Sequence, residues 1–251
     1  MRGEEDAAQA AKRLEELAAR AQRTGAPCFT GFLSPAEADL ARIAAQRQRV
    51  DVLLEGGYEG AERCVACFAG EWEEPFPIAA LLLEWPHQSA PGHRDVLGAV
   101  MGLGVKRECV GDIVVLQERA YLFAQQRMAE HIAAALDSAG RTKLRVSVLD
   151  ELPRLEPPKG TELRGTVSSM RLDAVLSEGF GLSRANAAEL IAAGRVKLCH
   201  VPTIRADARV KQGDAISARG YGRLMVEEIG APTRKGRLPV LLIRYGESRK
   251  H

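Results

Sequence analysis

The 251-residue sequence predicts an α+β protein in three parts. A small N-terminal α/β unit takes residues 1–75 and a β-α-β-β-α-β domain takes 76–152. A linker at 153–165 leads into a C-terminal helix–strand module at 166–251. Three observations predict this division. Hydrophobic periodicity switches between 3.6 and 2.0 in that order along the middle stretch. Pro153 to Gly165 holds three prolines and two glycines with little apolar content, the composition of a connector. Charge changes sign along the chain: residues 1–165 carry 20 Lys and Arg against 25 Asp and Glu, a net of −5, and residues 166–251 carry 15 against 8, a net of +7. A basic C-terminal third on an acidic body places a polyanion-binding surface at that end.

Taken in order, residues 4–23 favour a helix, with Leu14, Leu17 and Ala21 on one face. Thr24-Gly25-Ala26-Pro27 stops it, and Phe29, Phe32 and Leu33 read as an apolar link. Ser34-Pro35 opens the next helix as N-cap and first residue, with Glu37 completing a capping box. Val50 to Glu55 and Arg63 to Ala69 read as strands about a Gly56–Gly60 turn. Then come a strand from Ile78 to Trp85, a helix from His93 to Leu103, and strands at Asp112–Leu116 and Arg119–Phe123. A helix from Arg127 to Ser138 and a strand from Lys143 to Val148 close the set. That is the order of the ferredoxin-like plait used by RNA-recognition-motif domains. Tyr121 and Phe123 alternate on one strand; they either stack bases on an open sheet face or lie in a core.

In the C-terminal module a short helix carries Leu172, Val175 and Leu176 inward, with Arg171 near its start. Ser183 is an N-cap and Gly194 a left-handed stop for the next helix, whose apolar stripe is Ala187, Leu190 and Ile191. The strand that follows alternates, Val196 and Leu198 against Arg195 and Lys197. A second strand spans Asp214 to Arg219, and strands at Leu224–Ile229 and Pro239–Tyr245 flank a basic turn at Thr233–Arg237. The helix opening at Ser183-Arg184 offers backbone N–H groups and a guanidinium to phosphate. Arg195 and Lys197 add charge, as do Arg205, Arg209, Lys211, Arg219 and Arg223. Charge alone leaves two readings level, an anion-binding surface and a solvated basic face.

Arg171-Leu172-Asp173, Ser183-Arg184, Gly194-Arg195-Val196-Lys197 and Gly213-Asp214 resemble the S-four (alpha-L) RNA-binding domain of a small-subunit ribosomal protein, pseudouridine synthases and tyrosyl-tRNA synthetases. Cys199-His200-Val201 stands where that module usually has Val-Asn-Gly. The resemblance implies RNA binding through Arg171, Ser183, Arg184, Arg195 and Lys197. Gly56-Gly57-Tyr58-Glu59-Gly60-Ala61-Glu62-Arg63, the stretch His93 to Glu108, and Gly111-Asp112-Ile113 resemble signatures of the YlmH family of bacterial S-four proteins. That second resemblance implies rRNA and tRNA as partners on the large ribosomal subunit. The implied process is quality control of stalled peptidyl-tRNA, without catalysis.

Other chemistry fits less well. The five cysteines, at 28, 64, 67, 109 and 199, suggest neither a disulfide framework nor a zinc site. His93-Arg94-Asp95 lacks the Asn of a kinase loop five residues on, where Val100 stands. It reads instead as a helix opening with Asp95 on the dipole, ahead of a second reading in which His93 or Arg94 contacts RNA. No cofactor or metal is expected. A pseudouridine synthase is the rival enzyme, with Asp95 and Asp173 as candidate nucleophiles, and a permanent structural ribosome component is the third reading. The longest apolar run, Ile78 to Leu83, is too short for a bilayer. The expectation is a cytoplasmic monomer that binds neither membrane nor DNA.

Overall fold

The structure, a computed structural model, describes residues 2–69, 73–86, 90–155, 160–199 and 201–245, with side chains from residue 7 onward. Part of the 153–165 stretch and His200 lie outside the described residues. The chain divides into two units, residues 1–157 and 158–251.

The first unit opens with helix α1 (Arg2–Thr24), strand β1 (Cys28–Leu33), helix α2 (Pro35–Gln48) and strands β2 (Val52–Glu55) and β3 (Cys64–Phe68). The capping box forms: Ser34 Oγ accepts from Glu37 N–H at 3.4 Å, and Glu37 Oε2 accepts from Ser34 N–H at 2.7 Å. Arg49 ends α2 in the left-handed region, φ 55°. The strands form an antiparallel sheet in the order β1-β3-β2. Leu14, Ala18, Ala41 and Ala45 of the helices pack on Leu33, Ala66 and Phe68 of its strands. The segment holding Phe29, Phe32 and Leu33 is therefore a strand rather than a link. Five of its six residues are buried, so the period-two signal of a half-exposed strand is absent.

The middle of the unit contains β4 (Ile78–Glu84), α3 (His93–Gly102), β5 (Val110–Val115), β6 (Arg119–Gln125), α4 (Gln126–Ala135) and, after the two-residue strands β7 (Ser138–Ala139) and β8 (Thr142–Lys143), β9 (Arg145–Val148). Its sheet runs β5-β6-β4-β9 with every pair antiparallel, the plait read from the sequence. Val96, Val100, Ala129 and Ile132 of the helices close one face over Leu81, Leu83, Leu122 and Ala124.

The other face of this sheet is covered. Phe123, Ile78 and Ala80 pack with Phe32 and Val65 of the first sheet in one buried cluster, with Tyr121 at its margin. The Phe123 ring stacks on Tyr58, centroids 4.9 Å apart. Phe123 is thus a core residue, unavailable to bases, because the N-terminal layer occupies the face where RNA would have to stack. The two YlmH-like signatures meet at this seam. Asp112 accepts from Tyr58 O–H at 3.0 Å, Glu62 N–H at 2.7 Å and Arg63 N–H at 3.3 Å. The Gly56–Arg63 turn is thereby held onto β5.

The second unit holds β10 (Thr161–Val167), α5 (Leu172–Phe180), α6 (Arg184–Ala192), β11 (Val196–Leu198), β12 (Val201–Pro202), β13 (Ala215–Ala218), β14 (Gly222–Ile229) and β15 (Leu238–Tyr245). These strands form a six-stranded sheet, β10-β15-β14-β13-β11-β12. Strand β10 begins inside the stretch read as linker. It is an edge strand in which only Val167 is buried and the rest are exposed or half-buried, so hydrophobic periodicity does not mark it. Leu172, Val175 and Leu176 of α5 and Ala187 and Ile191 of α6 pack on Val196, Ile216, Leu224, Val226, Val240 and Leu242. One sheet face is therefore the core, and the residues of opposite parity form a second face turned away from the helices.

Candidate nucleic-acid interface

The residues expected to meet RNA fall into two groups in the second unit. The first sits where α5 and α6 begin. Ser183 caps α6 by accepting from Asn186 N–H at 3.1 Å. Arg171 occupies the N-cap position of α5, and Arg184 is the first residue of α6. Both guanidiniums converge on Asp173: Arg171 Nε and Nη2 donate at 3.2 and 3.1 Å, and Arg184 Nη2 donates at 2.7 Å. The Asp173 side chain is 8% exposed, against 44% for Arg171 and 46% for Arg184. Burial raises the Asp173 carboxyl, but the bonds and charges of the two arginines outweigh it and hold the group below the usual carboxylate range.

This arrangement orders two cations at the cost of one compensating anion. The carboxylate fixes the inner edge of each fork and leaves both arginine side chains nearly half exposed. Arg209 stands across from Arg171 through an isolated β-bridge. The helix opening beside these arginines adds its own backbone donors.

The second group is assembled by strand register. Lys197 on β11 lies opposite Ser217 on β13, Ser217 opposite Arg223 on β14, and Arg223 opposite Tyr245 on β15. Directly opposed residues point to the same side. Their in-chain neighbours Val196, Ile216 and Leu224 are core, so this row belongs to the face away from the helices. Arg195 and Arg219 extend the row's basic end: Arg219 N–H donates to the Arg195 carbonyl at 2.9 Å, and Arg195 Nη2 donates to the Arg219 carbonyl at 3.1 Å. Lys197 forms no salt bridge among the described residues and is exposed. Four cations and one aromatic ring thus share a surface, the combination that grips a backbone and stacks a base.

The single surface expected from the sequence is therefore divided. Arg184 opens the nine-residue α6, about 13 Å long at 1.5 Å per residue, and Arg195 follows the turn at its other end. Arg184 belongs to the helix layer, Lys197 to the outer sheet face. The reason is topological: the chain reverses at Gly194 (φ 66°) and enters the sheet, so sequence neighbours come out on different layers. Of the remaining candidates, Arg205 pairs with Asp207 at 3.4 Å in an exposed bridge. Lys211 is exposed, and its backbone N–H donates to Asp214 Oδ2 at 2.7 Å. Among the described residues neither side chain shares a hydrogen bond or ion pair with the two groups. Ser217 and Tyr245 were missed by sequence reasoning; only the pairing of β13, β14 and β15 brings them beside Lys197.

No two of the five cysteines are joined in a disulfide, and burial pushes Cys64 and Cys67 up to about 11, which leaves both as thiols at neutral pH. Asp95 caps α3, accepting from Gly92 N–H at 2.9 Å. Among the described residues no group of three or more His, Cys, Asp or Glu is placed to hold a metal, and no helix is long and apolar enough to cross a membrane.

Comparison with known proteins covers each part of the chain. Residues 6–69 match the family model "YlmH, N-terminal", residues 72–151 match "Putative RNA-binding domain in YlmH", and residues 170–216 match "S4 domain". The chain is 32% identical over 222 residues to the "Ribosome-associated protein quality control protein P2" of Bacillus subtilis (strain 168), covering 86% of each protein. A solved structure titled "Cell division protein ylmH from Streptococcus pneumoniae" shares the fold over 57% of this chain and 91% of its own, with 19% identity and a TM-score of 0.51. With its α+β architecture and a C-terminal S-four module, the chain belongs to the YlmH family of RNA-binding proteins.

Proposed function

We propose that this protein binds rRNA and tRNA on the large ribosomal subunit and steadies a stalled peptidyl-tRNA during ribosome-associated quality control, without catalysing a reaction. The observation that carries the reading is the cationic row of Lys197, Arg223, Arg195 and Arg219 on one sheet face of the S-four unit. The Bacillus subtilis relative bears a ribosome-associated quality-control name, and a basic surface with an aromatic ring suits folded or unpaired RNA.

The environments of the candidate catalytic aspartates support a non-catalytic role. Asp95 holds the opening turn of α3, and Asp173 is engaged by two arginines. A uridine-isomerising enzyme needs such a group turned toward a base. The protein is expected to act as a cytoplasmic monomer.

Sedimentation with purified ribosomal subunits tests the reading. The protein is expected to travel with the large subunit at low salt and to leave it as salt rises, because its hold is mainly on phosphates. Sedimentation with neither subunit contradicts it. Retention through a high-salt wash supports a resident structural component instead, and pseudouridine formation in the bound RNA supports the enzyme reading.

A further inference from the structure

The first unit carries a basic cleft that the S-four reading does not use. It has a volume of about 560 Å³ and is lined by Arg13, Phe32, Glu37, Arg63, Lys106, Arg107 and Glu108. Arg63 reaches it from the end of the Gly56–Arg63 turn, Lys106 and Arg107 from the bend before β5, and Arg13 from α1. Three distant stretches of sequence thus converge on one opening.

The two central arginines are held in an unusual way. Arg63 Nε donates to the Val110 carbonyl at 3.1 Å, and its Nη2 donates to the carbonyls of Phe32 at 2.6 Å and Arg107 at 3.4 Å. Arg107 Nη1 donates to the same Val110 carbonyl and to that of Gly111 at 3.3 Å. Two guanidiniums therefore meet on one carbonyl oxygen. Neither makes a salt bridge to a carboxylate among the described residues.

The acids around them are already engaged. Glu108 pairs with Arg13 at 2.7 Å, Glu37 accepts from Ser34, and Asp112 accepts from Tyr58, Glu62 and Arg63. Four cations and two carboxylates line the cleft, so it keeps net positive charge. Burial lowers both Arg63 and Arg107, and proximity to Arg63 lowers Arg107 further, with Glu37 and Asp112 acting the other way. Two like charges held together at the cost of desolvation are a site made for an anion, since a doubly hydrogen-bonding oxyanion relieves both. Carbonyl bonds preset the forks, so little side-chain entropy remains to be lost on binding.

We propose that this cleft is a phosphate site, and that it takes a backbone phosphate of the RNA whose other contacts lie on the S-four unit. The inference rests on the RNA-binding reading but places a second, independent contact on the unit that lacks the S-four module. Arg63 and Arg107 would receive the phosphate oxygens, with exposed Lys106 at the mouth. The same chemistry could be met by free phosphate, and the test separates the two sources.

The experiment is amine footprinting of the full chain, reading acetylation of Lys106, Lys197 and Lys143 by mass spectrometry. Labelling is compared without ligand, with ribosomal RNA and with millimolar inorganic phosphate. Lys143, paired with Asp137 on an exposed hairpin, is the control. With RNA, acetylation of Lys106 is expected to fall severalfold while Lys143 is unchanged. Protection of Lys106 by inorganic phosphate but not by RNA keeps the anion site and overturns RNA as its occupant. Protection of Lys197 alone overturns the cleft proposal and leaves the S-four reading standing. Protection of Lys106 alone does the reverse. As a second readout, Lys106→Gln is expected to reduce the salt slope of RNA binding by about one unit; an unchanged slope counts against the site.

Discussion

Replacing Asp173 with Asn separates two roles that its position combines. In the native unit its nearly buried carboxylate accepts three N–H bonds from Arg171 and Arg184. Charge-assisted bonds contribute about 1.5–3 kcal/mol each when fully formed. Both arginine side chains are nearly half exposed, and desolvation of the carboxylate opposes the gain, so the net loss is set lower, at about 2 kcal/mol. Asn keeps one acceptor and turns an N–H₂ toward the two cations. For a unit of this size that loss lowers the melting temperature by roughly 8–16 °C, followed by circular dichroism or calorimetry.

The pH dependence has a definite sign. The folded Asp173 carboxyl lies below its ordinary value, so its contribution is complete above the unfolded pKa and disappears as pH falls through the lowered folded one. The gap between native and Asp173→Asn stability is expected to be full at neutral pH and to close in strong acid. RNA affinity supplies the second sign. If Asp173 orients Arg184 toward phosphate, the variant binds more weakly although the protein has become more positive. Unchanged stability together with tighter RNA binding would refute the reasoning, because it would mean that the carboxylate only neutralises its neighbours.

Asp112→Asn tests the seam of the first unit. Loss of an acceptor facing Tyr58, Glu62 and Arg63 is expected to cost about 1–3 kcal/mol at neutral pH by chemical denaturation. Here the pH effect reverses: burial raises the native carboxyl despite those bonds, so native stability falls as pH rises from the unfolded pKa through the folded one. The Asn variant lacks that step, and an identical pH profile in both proteins argues against it. Gly179→Ala places a Cβ 2.3 Å from Leu224 Cδ1, where α5 rests on the sheet. Overpacking is expected to cost about 1–3 kcal/mol in the S-four unit, and a variant as stable as the parent would show that this contact yields.

Much of this architecture was legible in the chain because its signals are local. Ser34, Pro35 and Glu37 specify a helix start within four residues, and the capping box forms as read. The apolar run from Ile78 to Leu83 and the helical stripe of Val96 and Val100 marked the first elements of the β-α-β-β-α-β order. Strands β1 and β10 escaped for opposite reasons. One is buried at five of its six residues and the other at only one of its seven, and neither alternates between buried and exposed positions.

The candidate interface was legible as residue types and not as geometry. Arg184 and Asp173 are eleven positions apart, and no periodicity announces their ion pair. Lys197, Ser217, Arg223 and Tyr245 form a row only through three strand pairings. The convergence of Arg63 and Arg107 on Val110 depends on the packing of one sheet against another, a long-range contact that residue spacing does not encode.

Salt dependence of RNA binding tests the cationic sheet face most directly. Each phosphate contact contributes about −0.7 to −0.9 to the slope of log affinity against log salt. Lys197→Gln and Arg219→Gln remove exposed charges at the two ends of the Arg195–Lys197 edge. Each is expected to flatten the slope by about that amount, and the double variant by about twice as much. Slopes that stay at the parent value in all three variants would contradict the claim that this face holds the RNA backbone.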